Sequence, residues 1–159
     1  MVRSRFAKLL DKGEIYHLNT EAATPSPTRL QSSISQMYIS AVSACDTKVL
    51  FLTSSGFVYE TSSLSESPQV IFPLLQVKVV SVECTTSTSL AVAKVRLGKE
   101  LVVIENQIIT ENKLIAYTWT PEEEVKVVAQ SLKMSITGAT LLLDKPVLFS
   151  NDTIFVSKL

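Results

Sequence analysis

The chain repeats itself. Pro73-Leu74-Leu75-Gln76-Val77-Lys78-Val79-Val80 returns, altered at its front, as Pro121-Glu122-Glu123-Glu124-Val125-Lys126-Val127-Val128, 48 residues later. Lys12-Gly13-Glu14-Ile15-Tyr16 returns as Ser55-Gly56-Phe57-Val58-Tyr59 after 43 residues. A weaker echo links Asp46-Thr47-Lys48-Val49-Leu50-Phe51 with Asp144-Lys145-Pro146-Val147-Leu148-Phe149. A period in the forties constrains the fold more than any other feature. A unit that short cannot bury an apolar face alone, so it stacks on copies of itself, and small all-β units of this length lie side by side as in a propeller.

The residues between the echoes favour strands. Val and Ile together number 28 and Thr 15 in 159 residues, a composition that suits pleated sheet. Short apolar runs alternate with Ser, Thr, Gly, Pro and Asn clusters, which predicts many short strands and no long helix. Among them are strands over 36–43, 48–53, 57–61, 76–83, 88–96, 113–119, 124–129 and 132–137. Ser54-Ser55-Gly56 between Val49-Leu50-Phe51-Leu52 and Phe57-Val58-Tyr59 reads as a hairpin with Gly at the positive-φ position. Asp11-Lys12-Gly13 and Asn151-Asp152 sit in the same setting, so one hairpin is expected at 6–18, 49–61 and 147–157. Gly98-Lys99 reads as a fourth turn. The fold class expected is all-β, a propeller-like array of short antiparallel sheets forming a partial propeller, with a β-sandwich as the alternative. Residues 1–159 read as a single β-repeat domain with units near 5–47, 48–93 and 94–145 and a partial hairpin over 146–159. The identical Val-Lys-Val-Val tetrapeptides predict that 76–83 and 124–129 are equivalent strands of adjacent units, with Val77, Val79, Val125 and Val127 facing one way.

Charge and motifs exclude several function classes. Fifteen basic residues balance fifteen acidic ones, which leaves no electrostatic footprint for nucleic acid. Arg3, Arg5, Lys8 and Lys12 read as a solvated terminus. No apolar run is long enough for a membrane-spanning helix, so no membrane insertion is expected. With no apolar stretch behind the first charges, a cytoplasmic or nuclear location is expected; a mitochondrial one is the alternative, because residues 2–8 are basic and acid-free. His17 is the sole histidine, which removes His-based triads and His-rich metal sites. Cys45 and Cys84, the two cysteines, occupy matching places in two repeats and read as small buried hydrophobes. The four aspartates, Asp11, Asp46, Asp144 and Asp152, fall in turns, and no nucleotide-binding or nucleophile motif occurs. No catalytic residue, cofactor or metal is assigned.

One stretch carries a family likeness. Lys48 to Tyr59 holds a strand ending in Leu52-Thr53, a Gly56 turn and a Val58-Tyr59 strand. Pro68 and Pro73-Leu74-Leu75 follow, then Val77-Lys78-Val79-Val80-Ser81-Val82-Glu83-Cys84 and Ser89-Leu90-Ala91-Val92. This order resembles one repeat of the regulator-of-chromosome-condensation type, over about 46 residues, with partial likeness over 6–47 and 94–157. The resemblance implies propeller blades, and a family propeller closes with seven, of which this chain holds material for about three. It also implies guanine-nucleotide exchange as an alternative activity, although no residue here matches a motif for that role. The reading preferred is a non-enzymatic protein-interaction or scaffold module, a subunit or fragment of a larger assembly. An unrelated all-β structural subunit of a large assembly or virion is a further alternative. Trp119, the sole Trp, is expected to anchor an interface, because Trp is enriched at hot spots. The end units are expected to offer Phe6, Leu9, Leu10, Val147, Phe149, Ile154 and Phe155 as apolar surface to a protein partner or to the remaining blades of a longer chain.

Overall fold

The computed structural model describes residues 4–9, 13–19, 23–24, 26–30, 33–63, 66–95, 102–104, 107–109 and 113–158. Strands make up 51% of it, which decides for the all-β class. Sheet I holds β1 (Ser4–Leu9), β2 (Glu14–Asn19) and β3 (Pro27–Arg29) in that order. Sheet II holds β4 (Ile39–Ala44), β5 (Val49–Thr53), β6 (Val58–Thr61) and β7 (Gln69–Val70). Sheet III holds β8 (Val77–Cys84) and β9 (Ser89–Val95), then β12 (Leu114–Trp119) and β13 (Lys126–Val127). Between β9 and β12 the chain makes a separate hairpin, β10 (Val102–Ile104) with β11 (Gln107–Ile109). Sheet IV holds β14 (Gly138–Leu142), β15 (Lys145–Phe149) and β16 (Ile154–Val156). Every pairing is antiparallel between strands consecutive within a sheet, and no sheet closes on itself.

The sheets stack in sequence order, and the period-2 alternation of strands explains why. All five residues of β5 are buried. Val49 and Phe51 enter a core shared with Ile15, Ile34 and Ile39, while Leu50 and Leu52 enter a second core with Val77, Val79 and Tyr117. In β9, Ala91 and Ala93 join that second core, and Leu90 and Val92 enter a third with Ile136, Leu141 and Leu148. A strand covered on both faces must be apolar at every position, which is why Val49-Leu50-Phe51-Leu52 and Leu90-Ala91-Val92-Ala93 are unbroken apolar runs. Three cores between four sheets are a serial stack, so the β-sandwich alternative does not form.

The hairpins expected at 6–18, 49–61 and 147–157 are the β1–β2, β5–β6 and β15–β16 pairs. Gly98-Lys99 lies outside the described residues. Gly13 (φ +65) and Gly56 (φ +85) each bring a turn onto the first strand of the next sheet. A Cβ on Gly13 would lie 2.8 Å from the Ile39 nitrogen, and one on Gly56 would lie 2.7 Å from Lys78 Cγ and 3.1 Å from the Val79 nitrogen. Val79 N–H donates to the Gly56 carbonyl at 3.1 Å. The register of β4 slips between Ile39 and Ala41, and that of β8 between Val79 and Ser81, so the same bulge recurs where each glycine turn docks. Gly138 has neither a positive φ nor an atom within 4 Å of its missing Cβ. Gly13→Ala should therefore destabilise the fold by about 1–2 kcal/mol or more, whereas Gly138→Ala should be neutral or stabilise it by up to about 1 kcal/mol. Urea midpoints of the two variants check this, and equal effects would refute the docking.

A helical turn follows the last strand of each of the first three sheets. Leu30 N–H donates to the Ile15 carbonyl, Ile71 to Val58 and Val128 to Ala116, at 2.8, 2.9 and 2.8 Å. The chain then coils as Ser33–Gln36, Phe72–Gln76 and α1 (Ala129–Lys133), and each coil buries one aliphatic side chain: Ile34, Leu74 and Leu132. The strand expected over 132–137 is thus a correction. Ala129, Gln130, Leu132 and Lys133 are good helix formers with no β-branched residue among them, and the link needs a turn there.

The longest sequence echo is a second correction. Val77–Val80 lies in β8, at the inner edge of sheet III, and Lys126–Val127 is β13, at the outer edge of the same sheet. The two are not equivalent strands of adjacent units. The Asp46–Phe51 echo names equivalent strands one residue out of register. The Cys45–Lys48 turn hydrogen bond at 3.0 Å and the Leu142–Lys145 pair make Lys48 the counterpart of Lys145. Phe51 therefore corresponds to Leu148, and Leu52 to Phe149. A one-residue slip exchanges the faces of the whole strand. The expected unit 48–93 carries β5 to β7 of one sheet and β8 and β9 of the next, because a repeat period leaves the phase of the cut open.

Candidate interaction surface

Among the described residues no group of three His, Cys, Asp or Glu side chains could hold a metal. A depression lined by Gly13, Glu14, Ile15, Arg29, Leu30 and Ile34 has room for about one water molecule. Burial pushes the Tyr117 hydroxyl up to about 12, so it is a neutral core group at ordinary pH. No helix among the described residues is long and apolar enough to cross a membrane.

What recurs instead is a set of polar ties between sheets. Ser43 Oγ in β4 accepts the Cys84 N–H of the next sheet at 3.0 Å. Its counterpart in β8, Glu83, accepts the Leu141 N–H at 3.2 Å and the Thr140 hydroxyl at 2.7 Å. The turns between first and second strands meet in a row. Thr47 Oγ1 donates to the Thr86 carbonyl at 3.0 Å, Thr85 Oγ1 donates to Asp144 Oδ1, and Ser87 Oγ donates to Asp144 Oδ2 at 3.3 Å. Leu143 (φ 47) and Asp144 (φ 64) form the turn that closes β14 on β15, and both are in the left-handed region. These ties give the junctions between sheets II and III and between sheets III and IV a fixed register on top of their apolar contacts.

Trp119 belongs to the same system, which corrects the expectation for it. It is 5% exposed in the core between sheets II and III, and its Nε1–H donates to Glu60 Oε2 at 3.1 Å. It joins two sheets of this chain and presents nothing outward. The side chains of Phe6, Leu9 and Leu10 lie outside the described residues. Phe155 packs into the third core beside Leu148. Val147 is buried, and Phe149 is half-buried.

The far face of sheet IV stands apart. Residues paired across strands share a face, so Phe149 with Ile154 and Val147 with Val156 lie on the side away from Leu148 and Phe155. By the register above, this is the side that the earlier sheets turn toward their next neighbour. Val58 in sheet II and Ala116 in sheet III, the counterparts of Ile154, are 1% and 0% exposed; Ile154 is 69% exposed. Leu142, Leu143 and Val156 are exposed as well. β16 is also an open edge. In the other three sheets the strand at this position is covered by an outer strand that ends the sheet in polar or short form: Pro27-Thr28-Arg29, Gln69-Val70 and Lys126-Val127. Arg29 pairs with Glu14 at 2.9 Å and Lys126 with Glu123 at 2.6 Å. Sheet IV has no such strand among the described residues, and Ile154-Phe155-Val156 forms its edge. The sequence signal for this face was present in Val147-Leu148-Phe149, an apolar run of the two-sided kind.

No family model and no curated protein matches the chain. Solved structures do match. The crystal structure of human WBSCR16 superposes with a TM-score of 0.59 at 13% identity, over 92% of this chain. The chain spans 43% of that protein's chain. At this identity the likeness establishes the fold alone: serial small sheets laid out in the same way.

Proposed function

We propose that this chain is a non-enzymatic interaction or scaffold module, a divergent array of the regulator-of-chromosome-condensation type, that continues through the far face of sheet IV onto another β-sheet. That sheet comes from a protein partner, from a second copy, or from further parts of a longer polypeptide. The observation that carries the reading is the contrast between Ile154 and its counterparts Val58 and Ala116. One position in the repeat is sealed three times by a following sheet, at Ile15, Val58 and Ala116, and left bare once, at Ile154. A contiguous apolar patch rimmed by polar residues marks an association site, because water leaving it is the main gain on contact. The span of 43% of a longer structural neighbour agrees with an array that extends beyond four sheets.

Light scattering on the isolated 159-residue chain across micromolar concentrations tests it. The expected result is an apparent mass that rises above the monomer with concentration, and Ile154→Lys should return the mass to that of a monomer. A wild-type chain that stays monomeric throughout would overturn the proposal.

A further inference from the structure

The two cysteines come from different sheets and meet. Cys45 opens the turn after β4 in sheet II, and Cys84 is the last residue of β8 in sheet III. Cys84 lies in the core between sheets II and III and Cys45 packs against that same core, each on the face that its strand turns toward the other sheet. Ser43 Oγ lies 3.6 Å from Cys84 Sγ and accepts the Cys84 N–H at 3.0 Å, which fixes the position of that thiol. Cys45 Sγ has Thr47 Oγ1 at 3.5 Å and the Lys48 carbonyl at 3.6 Å. Thr47 Oγ1 donates to the Thr86 carbonyl at 3.0 Å, so the two turns that carry the thiols are tied beside them.

The two thiols have opposite environments. Cys84 is buried, and that burial pushes its thiol up to about 12; the Cys45 neighbour adds to the rise, while Ser43 and Lys48 pull against it. Cys45 is only half-buried. Burial alone would raise it, but hydrogen bonding with Thr47, Cys84 and the Lys48 backbone outweighs that, and the net shift is downward. The half-buried thiol is thus the more readily ionised of the two, and the buried one stays protonated beside it. An accessible nucleophilic thiol with a second thiol at hand is the arrangement that converts oxidation into a disulfide rather than into over-oxidation.

The register makes this pair an addition to the repeat. Cys84 occupies the place of Ala44 in sheet II and Leu141 in sheet IV, and Cys45 the place of Thr85 and Leu142. The cysteines are offset by one residue from each other, so the sequence expectation of matching places is also corrected. The offset is what turns Cys45 across the junction toward Cys84. Packing alone does not demand sulfur, since other sheets fill these places with Ala, Leu or Thr.

We propose that Cys45 and Cys84 form a reversible disulfide that staples sheet II to sheet III in response to a hydroperoxide. The Cys45 thiolate attacks the distal oxygen of the hydroperoxide. An S–O bond forms, the O–O bond breaks, and the departing alkoxide or hydroxide takes a proton to leave as an alcohol or water. The Cys84 sulfur then attacks the Cys45 sulfenic acid. The S–S bond forms, the S–O bond breaks, and the hydroxide leaves with the Cys84 proton as water. Two thiols lose two electrons and two protons, and one hydroperoxide is reduced. A thiol reductant reverses the change by exchange.

The test is brief exposure of the purified chain to hydrogen peroxide, alkylation of the remaining thiols, and peptide mapping. The expected result is an intrachain Cys45–Cys84 cross-link, loss of both free thiols, and a urea midpoint that rises on oxidation and returns with dithiothreitol. Cys84→Ala, which copies the Ala44 position, should leave the Cys45 sulfenic acid trappable by dimedone. Cys45→Ser should leave Cys84 unoxidised under the same exposure. Separate alkylation of both cysteines after peroxide, trapping of Cys45 by dimedone with Cys84 in place, or cross-links only between chains would each overturn the proposal.

Discussion

Trp119→Ala is expected to cost about 3–5 kcal/mol, the range for deleting a large buried aromatic. That is a large share of the roughly 5–15 kcal/mol that holds a typical domain together. The side chain lies in the largest of the three cores, beside Val77, Ile115, Tyr117 and Leu132, and joins two sheets at once. Its removal leaves a void between them and takes the indole donor from Glu60. Trp119→Phe keeps most of the volume and loses only that donor. The hydrogen bond runs to a partly buried carboxylate, so the coupling in a Trp119→Phe and Glu60→Ala double-mutant cycle should be about 1–2 kcal/mol. Circular dichroism against urea gives both numbers, because the sole Trp is lost as a fluorescence probe. A cost below about 1 kcal/mol for Trp119→Ala, below the usual range for core truncation, would place the indole outside the junction.

Much of the fold was legible because its signals are local. A glycine that must adopt positive φ, flanked by short apolar runs, identifies a hairpin without reference to anything distant, and Gly13 and Gly56 did so. Unbroken apolar runs such as Val49-Leu50-Phe51-Leu52 identify strands buried on both faces. Val77-Lys78-Val79-Val80 and Val125-Lys126-Val127-Val128 are alike in letters although Val80 is exposed and Val128 buried, and a tetrapeptide does not say which edge of a sheet it occupies. The next few residues of the chain distinguish them. Ser81-Val82-Glu83-Cys84 continues the strand, whereas Ala129-Gln130-Ser131-Leu132-Lys133 coils. Residue type alone points Trp119 outward, whereas its partner Glu60 lies 59 residues away, beyond any local pattern. Ser43 and Glu83 share a role, but a hydroxyl and a carboxylate do not resemble each other as letters. Only the register between sheets makes them counterparts.

Leu74→Ala and Leu132→Ala are each expected to lose about 2–5 kcal/mol, as truncations of buried aliphatic side chains do. Both point into the core between sheets II and III, from coils that lead out of those sheets. Neither residue lies in a strand, so neither variant removes a ladder hydrogen bond. The loss would measure how far the coil's single side chain seals the junction. Phe72, in the same coil as Leu74, is 72% exposed, and Phe72→Ala should change stability by less than about 0.5 kcal/mol. The comparison separates burial from residue size, since the larger side chain should matter less. Ile34→Ala should behave like the two leucine variants at the junction of sheets I and II, where Ile34 meets Ile15, Ile39 and Phe51. Urea midpoints of the four variants, with unchanged slopes, are the measurement. If Phe72→Ala proved as costly as Leu74→Ala, the coil would be held by its outer face. The repeated aliphatic plug would then not be what joins one sheet to the next.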